Sequence, residues 1–353
     1  MVERSTPQAM WQRGQLMRAR SLYGGDMDCM ARPFDLRPIL MVLTIRAALS
    51  LISMCGGAQR CVGQSLSPRA YVIAPIHSNA ITLTYSFQEG NIVFVPTLPI
   101  SGASGRINTE VLGYFHTLDF LGRSANFVIS LPYSTGSFEG SLSGPPGEIY
   151  RSGLAPGIFR FSVNLKGGAA MKLNEFVHWR QSTVLGASLT VDAQTGQYDP
   201  ARLINIGANR WAFKPEVGFS RRWGRWILDA YGAVWLFTAN NNYYPNSPGS
   251  SGSNKQTQEP MGAVETHISY DVRPRLWISM DGNYWYGGLT SVNNVPSPTT
   301  LQSNSRLGAT AAIPFGGHQS IKFSYSDGTY YRFGGDYQTV SVAWQYSWLG
   351  RPN

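Results

Sequence analysis

Charge, cysteine and long apolar runs are all scarce in this chain of 353 residues, and each shortage excludes a class of protein. Charged residues make up 14% of the chain, against about 25% in ordinary soluble domains. The runs of about 20 apolar residues that helical membrane spans require are missing, apart from one N-terminal stretch. Cys29, Cys55 and Cys61 all precede residue 62, so the rest of the chain has neither a disulfide framework nor a cysteine metal site.

What the chain does contain is glycine and aromatic residues. It has 38 Gly, 10 Trp, 18 Tyr and 16 Phe, and so many aromatic side chains exclude a solvated, disordered chain. Low charge, many aromatics and no long apolar segments are together typical of a transmembrane β-barrel, whose strands are apolar on one face only.

The N-terminal residues 1–63 have the pattern of an extension followed by a secretory signal peptide. Basic residues precede an apolar stretch at residues 47–54, and small residues follow at 56–58. We predict cleavage near 58–63, after Ala58 or Gly63, and a translation start at Met27 or Met30. The alternative, a membrane anchor over residues 38–58, would place Arg46 within the span at a cost of about 2.5–3.5 kcal/mol.

Residues 64–353 then form one predicted outer-membrane barrel domain. This part has 21 basic and 16 acidic residues, a net charge of +5. So small an excess gives no nucleic-acid signature, and we expect no nucleic-acid partner.

Hydrophobic residues alternate with polar ones at period 2 along this part of the chain. In the segment from Phe159 to Lys166, for example, Phe, Phe, Val and Leu alternate with Arg, Ser, Asn and Lys. Such alternation indicates strands with one apolar face and one polar face. It predicts an all-β, antiparallel up-and-down barrel of about twelve strands: 79–89, 107–119, 125–134, 156–166, 182–192, 210–221, 226–238, 262–272, 276–286, 305–314, 319–330 and 338–348.

The predicted connections are of two kinds, as in outer-membrane barrels. Short turns at 121–124, 222–225, 272–275 and 315–318 indicate the periplasmic side, where both chain ends also lie. Long polar loops at 135–152, 193–209, 240–260 and 287–304 indicate the extracellular side. We predict a small helix around 173–179, and we expect loop 240–260, with the other long loops, to act as an outer gate.

The same alternation predicts which side chains point into the lumen. The charged and amide set is Glu110, Arg160, Asn164, Arg210, Lys214, Glu216, Asp229, Glu265, His267, Asp271, Asp281, Asn283, Arg306 and Lys322. Charges of both signs predict either a salt-bridged interior or a path for neutral solutes. Four aromatic residues, Tyr231, Trp235, Trp277 and Trp285, share the inward face. They could stack an aromatic solute or simply fill a narrow bore.

From these residues we predict a solute path. Its members are Tyr231, Trp235, Trp277, Trp285, Asp281, Arg210, Lys214, Glu216 and Arg306.

Two short motifs are similar to those of lipid-degrading barrel enzymes. His267 and Ser269 match the His-x-Ser of outer-membrane lipid A deacylases, but their strand face also carries Glu265 and Asp271, which would be costly against lipid. The tripeptide of residues 77–79 has the His, Ser and Asn of outer-membrane phospholipases in composition only. We therefore expect no catalytic residue, no metal and no cofactor.

The last strand and several longer motifs resemble a known family. The motifs are Pro68-Arg-Ala-Tyr71, Gly196-Gln-Tyr-Asp199, the segment 205–216, Ser305-Arg-Leu-Gly308, Gly334-Gly-Asp336 and Ala343-Trp-Gln-Tyr346. Over residues 68–348 they resemble the outer-membrane proteins named for the meta-pathway of phenol degradation. The resemblance implies an outer-membrane barrel, a transporter or channel associated with the catabolism of aromatic compounds. The aromatic ending at Trp348 also resembles the signal that the barrel assembly machinery reads.

These observations predict an outer-membrane channel through which small hydrophobic or aromatic solutes diffuse passively. The expected partners are outer-membrane lipid and lipopolysaccharide, the barrel assembly machinery and a small-molecule solute. Two alternatives remain: a structural or surface barrel that transports nothing, and a lipid-modifying barrel enzyme.

Overall fold

The computed structural model describes residues 66–93, 100–142, 147–202, 204–243 and 254–350. The predicted extension, signal peptide and cleavage site lie outside the described residues, as do the three cysteines. Within the described part, no helix is both long enough and apolar enough to cross a membrane.

The described chain is almost entirely β-structure. Its strands are β1 (Ser78–Val93), β2 (Ile100–Phe120), β3 (Arg123–Leu142), β4 (Gly147–Leu154), β5 (Ile158–Lys166), β6 (Thr183–Asp192), β7 (Ala212–Trp223), β8 (Trp226–Phe237), β9 (Asn240–Tyr243), β10 (Asn254–Gln258), β11 (Met261–Arg273), β12 (Leu276–Gly287), β13 (Thr290–Val292), β14 (Val295–Ser297), β15 (Gln302–Phe315), β16 (Gln319–Tyr330) and β17 (Gly334–Leu349). One short helix, α1 (Leu173–His178), lies between β5 and β6, and a single 3-10 turn spans Pro298–Thr300.

Twelve of these strands close into an antiparallel barrel, which confirms the predicted architecture. The order around the barrel is β1, β2, β3, β5, β6, β7, β8, β11, β12, β15, β16 and β17, and β17 pairs back onto β1 from Ser78↔Leu349 to Val93↔Gly334. All twelve predicted strands correspond to these elements, and the predicted helix is α1. Closure leaves the ring of twelve strands without an open edge, and β4 pairs with the part of β3 from Tyr133 to Gly140.

Alternating burial shows which face of each strand is which. In β11 the odd-numbered residues from Met261 to Ser269 are buried, whereas the even-numbered ones between them are exposed. The exposed set is apolar across the barrel, with Val217, Met280 and Leu307 more than 60% accessible. Such an exterior is a lipid-facing belt, and polar side chains occupy the interior.

The turns and loops also follow the predicted asymmetry. The β2–β3 turn is the pair Leu121 and Gly122, both with positive φ (53° and 77°), as tight hairpin turns require. The long loops are more ordered than we predicted. In the predicted loop 135–152, the last part of β3 pairs with β4 to form a β-hairpin. Parts of loops 240–260 and 287–304 form a second sheet, which consists of β9, β10, β13 and β14. The alternation does not predict these ribbons, because β9, β10, β13 and β14 are only three to five residues long and glycines interrupt the pattern in the β3–β4 hairpin.

Candidate functional site in the barrel lumen

The inward faces of the strands bring most of the predicted solute-path residues into one lumen. Lys214 and Glu216 come from β7, Tyr231 and Trp235 from β8, Asp281 and Trp285 from β12, and Arg306 from β15, and all are buried. Arg210 lies just before β7, where its guanidinium stacks over the Phe237 ring at 4.6 Å and donates to Gln258. Trp277, by contrast, lies apart at the periplasmic end of β12.

Most predicted inward charges lie on that face, with one correction. Glu110 of β2 is exposed and lies opposite Tyr85 and Tyr133 on the outer face, whereas Thr109 beside it is fully buried. The prediction for Glu110 was wrong because β2 is 21 residues long and continues beyond the lipid, where outward positions are also polar.

A continuous row of ion pairs runs along the inner surface of the barrel wall. The Arg160 guanidinium lies 3.5 Å from Glu216, whose other oxygen is 2.8 Å from the Lys214 ammonium. Lys214 also lies 2.9 Å from the Glu265 carboxylate.

The row continues onto the next strands through His267. Its Nε2 is 3.7 Å from Glu265, and its Nδ1 is 2.9 Å from Asp281. Thr310 donates to the second oxygen of Asp281 at 2.7 Å. Five strands therefore contribute to one charge-paired band, which is the salt-bridged interior that the mixed signs predicted.

Above this band, towards the extracellular end, lies an aromatic cluster. Trp235 and Trp285 pack with Met261, Ala212 and Ala263, and Phe237 flanks them. The Trp285 indole donates to Gln302 at 2.9 Å, and the Lys214 ammonium lies 5.7 Å from the Trp235 ring centroid. The cluster thus places two buried indoles beside a cation at its lower edge.

Below the band, residues 66–77 run inside the barrel, and we call this segment the plug. The Arg69 guanidinium pairs with Asp271 at 2.7 Å and lies 4.4 Å over the Trp277 ring. The backbone amides of Arg69 and Ala70 donate to Asp229 and Tyr231 at 3.2 and 3.0 Å. The plug therefore has polar anchors on β8, β11 and β12.

The centre of the plug is Tyr71, which is 1% exposed. Its hydroxyl donates to Glu216 at 3.0 Å and lies 3.0 Å from the Ser188 hydroxyl. Burial raises the pKa of the Tyr71 phenol above its ordinary value and the Glu216 carboxylate adds to the rise, so the hydroxyl stays protonated and remains a donor.

A pair of glycines makes room for the Tyr71 ring. Gly186 and Gly218 are opposite each other on β6 and β7, and a Cβ added to either would lie 2.2 or 2.1 Å from that ring. No larger residue fits while Tyr71 occupies this position. We call this pair the glycine seat.

The extracellular end is covered by residues 193–202 and 204–211, which we call the lid. Its neck closes where Gly207 meets Gly196, with the Gly207 amide donating to Gln197 at 2.8 Å. Near its tip, Ile204 is buried against Ile107, Phe138 and Tyr337, which come from β2, β3 and β17.

The other side of the lid contacts the wall beyond β8. The Tyr198 hydroxyl donates to the Asn242 carbonyl at 2.9 Å, and the Asn240 amide donates to the Ala208 carbonyl at 3.3 Å. The lid therefore reaches between strands on opposite sides of the barrel, and it contains loop 193–209, one of the long loops that we predict to act with loop 240–260 as the outer gate. Residues 244–253 of that loop lie outside the described part of the chain.

Sequence reasoning missed the roles of Tyr71 and Ile204. Tyr71 belongs to a motif that carried the family resemblance, but no periodicity marks a segment that binds inside a barrel. The one available signal was the pair of glycines at facing positions of two adjacent strands.

The two enzyme-like motifs lie in different places. His267 and Ser269 are fully buried on the lumen face, as their neighbours Glu265 and Asp271 predicted. Asn79 accepts hydrogen bonds from Tyr114 and lies 2.8 Å from His116 Nδ1, on the outer face of β1 and β2. Ser78 there bonds to the Pro75 carbonyl instead.

Comparison with known proteins gives one family and one well-matched fold. A family model described as "Putative MetA-pathway of phenol degradation" matches residues 86–342. Among curated sequences, none matches the chain.

An outer membrane channel from Pseudomonas putida F1 has the same fold at a TM-score of 0.65 and 15% identity, covering 80% of this chain and 100% of that one. The β-domain of the Bordetella autotransporter BrkA reaches a TM-score of only 0.43 at 11% identity, covering 76% of this chain and 99% of that one.

Proposed function

This chain belongs to the family of the MetA-pathway of phenol degradation, and on that premise we propose that it is a channel for small aromatic solutes. It is a β-barrel of the bacterial outer membrane. The observation that carries the proposal is the vertical order of the lumen: an aromatic cluster near the outside, a charge-paired band, and a plug at the periplasmic end.

Each layer has a physical role in the proposed path. The rings of Trp235 and Trp285 bind an aromatic solute by stacking and by excluding water. The charges of the band are neutralised in pairs, so a small solute meets hydrogen-bonding groups rather than one strong field. The lid and the plug close the two ends, and passage requires each of them to move.

The experiment is uptake of a phenolic solute by cells that produce the wild type or a double Trp235→Ala, Trp285→Ala variant, which leaves Trp277 and its contact with the plug unchanged. We expect uptake to fall in the variant while the barrel still assembles, as judged by its heat-modifiable migration in gels. Trp223→Ala, which removes an exposed indole at the periplasmic end of β7, is the matched control. Unchanged uptake in the double variant would refute the role of these rings.

A barrel that transports nothing is the second candidate, and the closure of both ends favours it. Single-channel recording in planar bilayers separates the two functions, because a structural barrel has no conductance in any variant. An enzyme acting on lipid is disfavoured because His267 and Ser269 have no exposure to the lipid face. Hydrolysis of phospholipid or lipid A by the refolded protein would reverse that conclusion.

The same proposal includes the assembly route. The outer face of β17 carries Val340, Val342, Trp344, Tyr346 and Trp348, and its pairing with β1 completes the barrel. We propose that the barrel assembly machinery reads this strand. Lipid and lipopolysaccharide then surround the apolar belt.

A further inference from the structure

One lysine of the lumen, Lys322, has surroundings that differ from those of the inward residues in the ion-paired band. Lys322 lies on β16, opposite Ala312 of β15 and Ala343 of β17. On the other face of β16, Phe323 and Tyr325 are exposed to lipid. Ser324 and Ser326, on the same face as Lys322, bond to Thr310 and Arg306 inside the barrel, so Lys322 also points into the lumen.

Within the described part of the chain, Lys322 has no ion-pair partner. The Lys214 ammonium lies between two carboxylates, and the Arg306 guanidinium donates to two hydroxyls. The residues facing Lys322 across the sheet are two buried alanines, which leave space around its side chain. The carboxylate that acts on it, Asp281, already bonds to His267 and Thr310.

Lys322 also lies beside the water-accessible part of the lumen. The plug and the paired band bury the inward side chains of β7, β8, β11 and β12. Inward hydroxyl groups on the other side, at Thr82, Thr84, Ser324 and Ser341, are half-buried, and Lys322 itself is exposed. A solute that reaches this side of the lumen meets a positive charge that forms no ion pair in the described part of the chain, and such a charge attracts anions and repels cations.

We propose that Lys322 selects for anionic solutes, so that aromatic carboxylates and phenolates pass in preference to organic cations. This inference rests on the proposed channel function and names the solute class.

The test is the reversal potential of single channels in planar bilayers, under a KCl gradient and then under a potassium benzoate gradient. We expect an anion preference in the wild type, retained in Lys322→Arg. Replacing one unit charge beside a narrow path should lower the anion-to-cation permeability ratio about tenfold in Lys322→Gln, and Lys322→Glu should prefer cations. Lys255→Gln, which removes an exposed lysine of the extracellular sheet, should leave the ratio unchanged.

The outcomes separate this inference from the function on which it rests. Conductance with the same permeability ratio in the wild type and Lys322→Gln would overturn the role of Lys322 and leave the channel intact. A cation preference in the wild type would do the same. Absence of conductance in the wild type and in a variant with the plug released would overturn the channel function, and the inference with it.

Discussion

Release of the plug by a single substitution is the sharpest prediction of this structure. Tyr71→Ala removes a buried ring, its contact with the glycine seat and its hydrogen bonds to Glu216 and Ser188. Truncating a buried aromatic side chain costs about 3–5 kcal/mol. Because the barrel itself does not depend on this ring, most of that loss should fall on the docking of the plug.

The expected consequence is a large rise in the open population. Since each 1.4 kcal/mol corresponds to about a tenfold change in an equilibrium, a loss of about 3 kcal/mol raises the open fraction roughly a hundredfold. Single-channel recordings and liposome swelling measure this directly. Tyr150→Ala, which truncates a tyrosine that is 61% exposed on β4, should leave the conductance as in the wild type.

A substitution in the barrel wall should release the plug in the same way. Gly218→Ala adds a Cβ whose three nearest atoms all belong to Tyr71, so it should displace the ring. The double variant with Tyr71→Ala should conduct no more than Tyr71→Ala alone, because both changes remove one interaction. Gly232→Ala, at a position with open space around it, is the control. A closed channel in both single variants would refute the assignment of the plug as the periplasmic closure.

Three further predictions concern the lid, the charge-paired band and pH. Ile204→Asp places a carboxylate among Ile107, Phe138 and Tyr337, so it should open the lid and raise conductance, whereas Ile204→Leu should not. Lys214→Met leaves Glu216 and Glu265 without their shared cation, and breaking a buried pair costs about 3–5 kcal/mol. The temperature at which half of the protein shifts its migration in gels should therefore fall. An unchanged midpoint temperature would contradict the pairing. The pKa of Tyr71 is raised in the folded protein, so its hydrogen bonds stabilise plug docking fully below the ordinary tyrosine pKa and are lost only above it. Titration of Tyr71 should therefore cause no change in conductance between about pH 6 and 9. A Tyr71→Phe variant should show the same flat profile over that range.

The sequence predicted the barrel well because one physical rule acts on every strand. Lipid on one side and polar groups on the other require alternation, and segments such as Phe159–Lys166 show it without interruption. The strand register then assigns inward side chains, and it failed at Glu110, where the strand leaves the membrane and both faces become polar.

The closures could not be predicted in the same way. The plug and the lid have irregular backbones whose positions depend on single side chains, Tyr71 and Ile204, meeting partners far away in the chain. Tyr71 bonds to Glu216, 145 residues away, and no local pattern encodes such a contact. That Lys322 has no ion-pair partner among the described residues is likewise visible only once β15, β16 and β17 are aligned.

The central claim is that this barrel carries small aromatic solutes across the outer membrane, and one measurement tests it most directly. It is the initial uptake rate of a labelled hydroxybenzoate, at low concentration, by cells with and without the protein, alongside the Tyr71→Ala variant. The account predicts faster uptake with the wild type than without the protein, and faster again with Tyr71→Ala. Equal rates in all three strains, with the barrel present in the outer membrane, would contradict it.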